Sequence, residues 1–368
     1  MMCHNARVKG PLVHVVGARP NFIKLAPLYL QLRDEFEQQI IHTGQHYDRR
    51  MSGDFFDVLG LPEPDHNLAV GSGSHAEQTA RIMMGLEKLF IEISPAAVIV
   101  YGDVNSTLAA SLVASKLLIP CLHVEAGLRS NDRTMPEELN RLVTDQLSDV
   151  LLTPSRDANE NLLREGISGD RIFFVGNIMI DTLNRMLPLT ETIDLGDLPD
   201  SFALVTLHRP SNVDESGKLS RISEHLVQLS ELLPMVFPVH PRTRACLDKL
   251  GFRPDSKRIK LIDPVDYLRF IAMQKKSRVV ITDSGGIQEE TTYLRKPCLT
   301  LRPNTERPVT TEIGTNTLIG DDPAAILPHL ENILAGNYKL GQVPELWDGD
   351  TAARIKKILQ DMSLCEPK

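Results

Sequence analysis

Carboxylates recur in this sequence where apolar runs end. Val98-Ile99-Val100-Tyr101-Gly102-Asp103 closes on an acid, and Cys121-Leu122-His123-Val124-Glu125 does so again one unit later. Open α/β sheets bind ligands outside the carboxyl ends of their strands, so two acids on neighbouring strands invite general acid–base work. The competing reading of Asp103 is a helix cap, but Asn105, Ser106 and Thr107 are better placed to cap the next helix. Glu125 reads equally well as an ion-pair partner of Arg129. A third acid, Glu137, lies in Thr134-Met135-Pro136-Glu137, the spacing of a capping box, with Arg141 four residues on and in reach along the helix. On the residues alone Glu137 is structural.

Two other corners suit an anion. Gly17-Ala18-Arg19-Pro20 follows a strand, with Pro20 where a first helical position favours it and Arg19 and Lys24 near the helix start. Cations gain nothing from the positive end of a helix dipole, so this pair favours a bound diphosphate over a surface role. The second corner is Thr282-Asp283-Ser284-Gly285-Gly286, after the apolar run Val279–Ile281. Ser284, Gly285 and Gly286 let a phosphate approach bare N–H groups, and Glu290, one turn into the helix, is in reach of a ribose diol. A plain turn is the alternative; Arg302, Glu306 and Arg307 after the next strand add weight to a charged ligand. His208-Arg209 ends the run Val205-Thr206-Leu207 and reads as a ligand contact, while His240 with Arg242 after Val239 stays open. Gly71-Ser72-Gly73-Ser74-His75-Ala76 imitates a dinucleotide fingerprint, but Pro62 and Pro64 break the strand it needs, and Asp103 lies 32 residues on where about 20 is usual. It reads as a loop capping a helix that begins near His75.

To position these corners the chain repeats an apolar run, a polar corner and a helical stretch about ten times, the rhythm of a parallel sheet. Strands are predicted at 12–16, 39–43, 97–101, 121–124, 150–153 and 172–175, and again at 203–207, 235–239, 259–262, 279–282, 298–301 and 317–319. This predicts an α/β protein of two Rossmann-like domains facing a cleft. Residues 181–201, with Pro188, Gly196 and Pro199, read as the hinge. The first domain takes 1–180 with an amphipathic C-terminal segment crossing back to it (351–368), and the second takes 181–350.

At 368 residues two domains are the default expectation. A formal net charge of -8 argues against a nucleic-acid partner. No apolar stretch approaches the roughly 20 residues of a membrane span, and the polar residues 1–10 carry no export signal. Five scattered cysteines, none in a CxxC pair, suggest reduced thiols and no metal site. A cytoplasmic location is expected.

Taken in order, Gly-Ala-Arg-Pro-Asn-Phe-Ile-Lys (17–24), Thr-Gly-Gln-His (43–46), Tyr-Gly-Asp (101–103), His-Val-Glu-Ala-Gly-Leu-Arg (123–129) and Pro-Glu-Glu-Leu-Asn-Arg (136–141) resemble the non-hydrolysing UDP-N-acetylglucosamine 2-epimerases. Val-Gly-Asn (175–177), His208-Arg209, Pro-Val-His (238–240), Asp266-Tyr267-Leu268, Thr-Asp-Ser-Gly-Gly-Ile-Gln-Glu-Glu (282–290) and Thr-Glu-Arg-Pro (305–308) continue the match. The resemblance implies a glycosyltransferase-B-like fold, a homodimer, a role in polysaccharide biosynthesis, and no cofactor. It implies UDP contacts from Arg19, Lys24, Phe270, Ser284, Gly285, Gly286, Glu290 and Arg307, with Asp103, Glu125, Glu137, Arg141 and His208 at the sugar and diphosphate. It thereby replaces the capping reading of Glu137. Gln45, His46 and His240 fall where some bacterial members bind a second, activating nucleotide sugar.

The chemistry fits those residue types. C2 of the sugar has no adjacent carbonyl to acidify its hydrogen, and the sequence lacks a nicotinamide fingerprint, so departure of UDP from C1 is favoured over oxidation at C3. Cations stabilise the leaving diphosphate while a carboxylate takes the C2 proton, giving a 2-acetamidoglucal to which UDP adds back. The sequence departs from many bacterial members at Asn21, Tyr47-Asp48 and Leu207. Close alternatives are a 2-epimerase of UDP-2,3-diacetamido-glucuronic acid and a UDP-sugar glycosyltransferase of the same fold.

Overall fold

The computed structural model describes residues 10–44 and 56–362, and the chain divides into two compact units, Met1–Thr182 with Glu345–Lys368, and Leu183–Pro344. Gln45 and His46 lie outside the described residues.

The first unit is built on β1 (Leu12–Val16), β2 (Gln38–His42), β3 (His66–Asn67), β4 (Ala97–Tyr101), β5 (Cys121–Val124), β6 (Val150–Thr153) and β7 (Ile172–Phe174), all parallel, in the order β3-β2-β1-β4-β5-β6-β7. Its helices are α1 (Arg19–Leu32), α2 (His75–Ile93), α3 (Asn105–Lys116), α4 (Pro136–Leu147), α5 (Arg156–Arg164) and α6 (Ile178–Met186), the last running across the boundary between the units. Strands such as Ala-Val-Ile-Val-Tyr in β4 are buried throughout, as expected of a parallel sheet covered on both faces. Strand order reverses between β1 and β4, so the Gly17 corner and Asp103 both leave the sheet at its switch point.

The second unit repeats the plan with β8 (Ala203–Thr206), β9 (Met235–Pro238), β10 (Ile259–Ile262), β11 (Val279–Thr282), β12 (Cys298–Thr300) and β13 (Asn316–Leu318), in the order β10-β9-β8-β11-β12-β13. The helices used below are α7 (Pro210–Val213), α8 (Ser216–Leu229), α9 (Pro241–Lys249), α10 (Tyr267–Lys276) and α11 (Gly285–Tyr293). Here the switch point falls between β8 and β11, where Thr206 and Thr282 are in register and share a 2.7 Å hydroxyl contact. His208 and the Ser-Gly-Gly corner both leave from it. The α/β class and the two Rossmann-like sheets are as the sequence predicts.

The differences are local. Several predicted strands run one residue long: Thr43, Val175, Val239 and Leu301 leave the ladder, although each still donates its N–H to the neighbouring strand. Periodicity cannot see that a turn has begun while the hydrogen bond persists. The expected hinge is structured for half its length, by α6 and a 3₁₀ turn over Leu187–Thr192, and Leu195 and Leu198 then pack on Phe202, Leu204 and Met273.

Residues after 344 return to the first unit. The helix Thr351–Asp361 packs on α1, its first two N–H groups donate to Asp181 (3.2 and 2.7 Å), and Lys356 pairs with Glu35 at 2.6 Å. Trp347, 2% exposed, donates its indole N–H to the Pro154 carbonyl at 2.9 Å. Among the described residues no helix is long and apolar enough to cross a membrane.

Candidate active site

Asn21 ties the first unit's switch point together. Its Oδ1 accepts from the N–H of Gly17 (3.2 Å) and Ala18 (3.0 Å), and its amide donates to the Tyr101 carbonyl at 2.8 Å. Lys24, 5% exposed, pairs its ammonium with Glu125, itself 6% exposed. Glu125 has a φ of 74°, and both its N–H and that of Ala126 turn onto the Leu152 carbonyl (3.1 Å each). Gly102, at a φ of 63°, lies under this pair, and a Cβ there would stand 2.8 Å from Lys24 Nζ. A side chain at 102 would therefore push the pair apart.

Asp103 pairs with Arg141, which also holds Glu138 at 2.7 Å. Glu138 in turn accepts from the N–H groups of Ser130 and Asn131 at 2.9 Å each; burial raises this acid, but the bonds from Ser130 and the Arg141 guanidinium prevail and hold it below the usual carboxylate range. The capping box at Thr134 is not formed. Met135 is the N-cap and gives no side-chain bond, while Thr134 donates to Asp132 at 2.6 Å because an Asp132 turn competes for it. Glu137 is left exposed on the first turn of α4, and Arg141 bonds Glu138 in its place. The caps expected of Asn105, Ser106 and Thr107 are likewise absent: Thr107 donates to the Tyr101 carbonyl, and Asn105 bonds Gln78 at 2.9 Å. Nor does Glu125 meet Arg129, which pairs with Asp145 (2.7 Å) and Glu165 (2.6 Å).

In the second unit Asp283, fully buried at the end of β11, is a hub. Its carboxylate accepts from the N–H groups of His208 (3.2 Å) and Arg209 (3.0 Å), from the Asn212 amide (3.2 Å) and from His208 Nδ1 at 3.0 Å. Burial raises this acid, yet the bonds from His208, Arg209 and Asn212 prevail and hold it below the usual range. The imidazole of His208 is half exposed, and with Nδ1 committed to Asp283 its Nε2 is the edge offered to a ligand.

Beneath the Ser-Gly-Gly corner lies a charged cluster. Arg307 pairs with Glu306 and, at 2.9 Å, with Glu289; Arg302 meets Glu306 at 2.6 Å and Arg209 approaches it at 3.8 Å. Despite burial, Arg307 and Arg302 hold Glu306 well below the usual carboxylate range. Gly285 packs directly on this cluster, since a Cβ there would stand 2.6 Å from both Arg307 and Glu306. Arg302 and Arg307 are both buried and engaged with these acids.

A profile described as UDP-N-acetylglucosamine 2-epimerase matches residues 29–360. The chain belongs to this family. The UDP-N-acetylglucosamine 2-epimerase of Methanocaldococcus jannaschii is 42% identical over 358 residues, which are 94% of this chain and 97% of that protein. The UDP-2,3-diacetamido-2,3-dideoxy-D-glucuronate 2-epimerase of Pseudomonas aeruginosa is 42% identical over 315 residues, 84% of this chain and 88% of its own. The crystal structure of the M. jannaschii UDP-GlcNAc 2-epimerase in complex with UDP-GlcNAc and UDP superposes with a TM-score of 0.89, covering 95% of this chain and 99% of that one.

In this epimerase some predicted residues have structural partners of their own. Glu290, 4% exposed, accepts from Tyr267 Oη (2.8 Å) and Gln274 (2.6 Å), and burial pushes its carboxyl up. Phe270 packs against the core cluster around Met273. His240 caps α9, accepting from the Arg242 N–H at 3.3 Å, while Arg242 holds Asp214 (2.9 Å from Nε). The epimerase also places residues that the sequence left unassigned: Asn140 donates to the Asp103 carbonyl at 2.8 Å, and Asp283 orients His208. A signal for the former existed. The buried side of α4 is Glu138, Asn140, Arg141, Thr144 and Asp145, while Leu139 and Val143 are 40% and 42% exposed, the reverse of an ordinary surface helix.

Proposed function

We propose that this chain interconverts UDP-N-acetylglucosamine and UDP-N-acetylmannosamine by elimination and re-addition of UDP. The observation that carries the reading is the pair of positioned carboxylates at one switch point, Asp103 against Arg141 and Glu125 against Lys24. One carboxylate takes the proton from C2; the C–H electrons form the C1–C2 double bond as the C1–O bond breaks and UDP leaves as the anion. His208, held by Asp283, and Arg19 neutralise the departing diphosphate, with Ser284, Gly285 and Gly286 supplying backbone N–H groups and Phe270, Glu290 and Arg307 the nucleotide end. Re-addition reverses these steps, with the proton delivered to the opposite face. Inversion needs acid–base groups on two faces or rotation of the intermediate, and Asp103, Glu125 and the exposed Glu137 share the proton-transfer posts.

Incubation with UDP-N-acetylglucosamine alone in heavy water tests this. Deuterium should enter C2 as the gluco and manno forms equilibrate, and 2-acetamidoglucal with free UDP should accumulate slowly. Tight UDP binding without exchange would overturn the reading in favour of a transferase. The P. aeruginosa relative supports a second substrate, the diacetamido uronic acid, and the ratio of kcat/KM for the two sugars decides between them.

The proposal extends to a cytoplasmic homodimer supplying amino sugars for polysaccharide assembly. Free thiols at Cys121, Cys246 and Cys298 support a reducing compartment. The apolar outer side of α4, together with Met84 and Ile91 of α2 (64% and 65% exposed), supports self-association.

A further inference from the structure

Two fully buried titratable side chains, His123 and Asp145, take no part in the roles given above. His123 Nδ1 stands 2.6 Å from Asp145 Oδ1, and its Nε2 stands 2.8 Å from the Gly102 carbonyl oxygen. A carbonyl oxygen only accepts, and so does a carboxylate, so both ring nitrogens carry hydrogen. The charges around the ring agree. Asp145 and Glu165 are two carboxylates that share the single guanidinium of Arg129 (2.7 and 2.6 Å), and an imidazolium at 123 brings the group to neutrality. Burial raises Asp145, but His123 and Arg129 outweigh it and hold the acid below the usual range.

We infer that His123, as a buried imidazolium, and Asp145 form a positioning pair that sets the separation of the Asp103 and Glu125 carboxylates. Oδ1 of Asp145 acts through His123 on Gly102, the residue just before Asp103. Its Oδ2 accepts from the Gly127 N–H at 3.1 Å, two residues past Glu125. One carboxylate thereby fixes the turn carrying the first acid and the loop carrying the second. The neighbouring carbonyls are pinned in the same manner, Tyr101 by Asn21 and Thr107 and Asp103 by Asn140. Proton transfer to or from C2 is sensitive to where each carboxylate stands, so a shift of either turn acts on turnover more than on nucleotide binding. The inference rests on Asp103 and Glu125 being acids of the reaction.

Nuclear magnetic resonance of the whole protein labelled with ¹⁵N in its histidine rings, assigned against His123→Gln, tests the proton count directly. One ring should carry hydrogen on both nitrogens, each ¹⁵N showing a one-bond coupling to its own proton. A ring at 123 with hydrogen on only one nitrogen overturns the inference. In kinetics His123→Gln should lower kcat roughly 30-fold, with KM and UDP affinity within about threefold of the parent, and most of that loss should vanish in an Asp103→Asn background. Full additivity, or a loss confined to KM and thermal stability, overturns the positioning role. Near-normal turnover of Asp103→Asn and Glu125→Gln alone would remove the acids assigned to the reaction, and the positioning role with them, while leaving the proton count standing.

Discussion

Glu125 holds a left-handed backbone that costs a non-glycine residue about 1–3 kcal/mol, and its carboxylate is committed to a buried ammonium. Removing one member of such a pair takes away a buried charge–charge contact, so Glu125→Gln and Lys24→Met should each lower stability by about 3 kcal/mol in urea titration. The double variant should cost far less than the sum, and strict additivity would show that the pair is not coupled. At Asp283 the pH dependence has a definite sign. Its folded value lies below the unfolded one, so its contribution is present above the ordinary aspartate range and is lost as pH falls through the depressed value. Asp283→Asn should therefore flatten the acid limb of the stability curve. It should also lower kcat by about 10- to 100-fold, because Asn offers the His208 ring no fixed negative partner.

At the scale of elements, Asp181 caps the returning helix. Burial pushes this carboxyl up to about 6 despite N–H bonds from Ala352 and Thr351. A raised aspartate favours the protonated fold, so the stability it contributes is full below the ordinary value near 3.8 and is lost as pH rises through about 6. Against Asp181→Asn, the parent should lose up to about 3 kcal/mol between about pH 4 and pH 7, read as the difference between the two melting curves. Strand and helix identity was legible because buried parallel strands are short apolar runs and each corner is punctuated by glycine or proline. The Ser74 capping box with Glu77 confirms that Gly71–Ser74 is a loop capping a helix that begins at His75. Partnership of charges was not legible. Lys24 and Arg307 look available in sequence but meet Glu125 and Glu289 from other segments, while Arg302 meets its own neighbour Glu306, and the inverted burial of α4 shows only once both of its sides are compared. The two-residue β3 offered no period to read.

At the scale of the molecule, one unit is continuous in sequence and the other is not. The single tryptophan, Trp347, sits in the segment that completes the discontinuous unit, so its fluorescence reports that unit's integrity. Truncation after residue 344 should expose the α1 surface that the returning helix covers and lower the melting temperature by several degrees, with light scattering showing aggregation. The proposed self-association has its own test: the parent should scatter light as twice 41.0 kDa and Leu139→Glu with Val143→Glu as a monomer that still binds UDP, and an unchanged mass in the variant would rule α4 out as the contact surface.

The discontinuity also has a bearing on birth at the ribosome. The strands bearing Asp103 and Glu125 emerge long before the helix Thr351–Asp361 that Asp181 caps, whereas residues 183–344 contain all six strands of their own sheet. Vectorial synthesis thus delivers early a half that bears the proposed nucleotide corner, and a half carrying the proposed acids that waits for the returning helix.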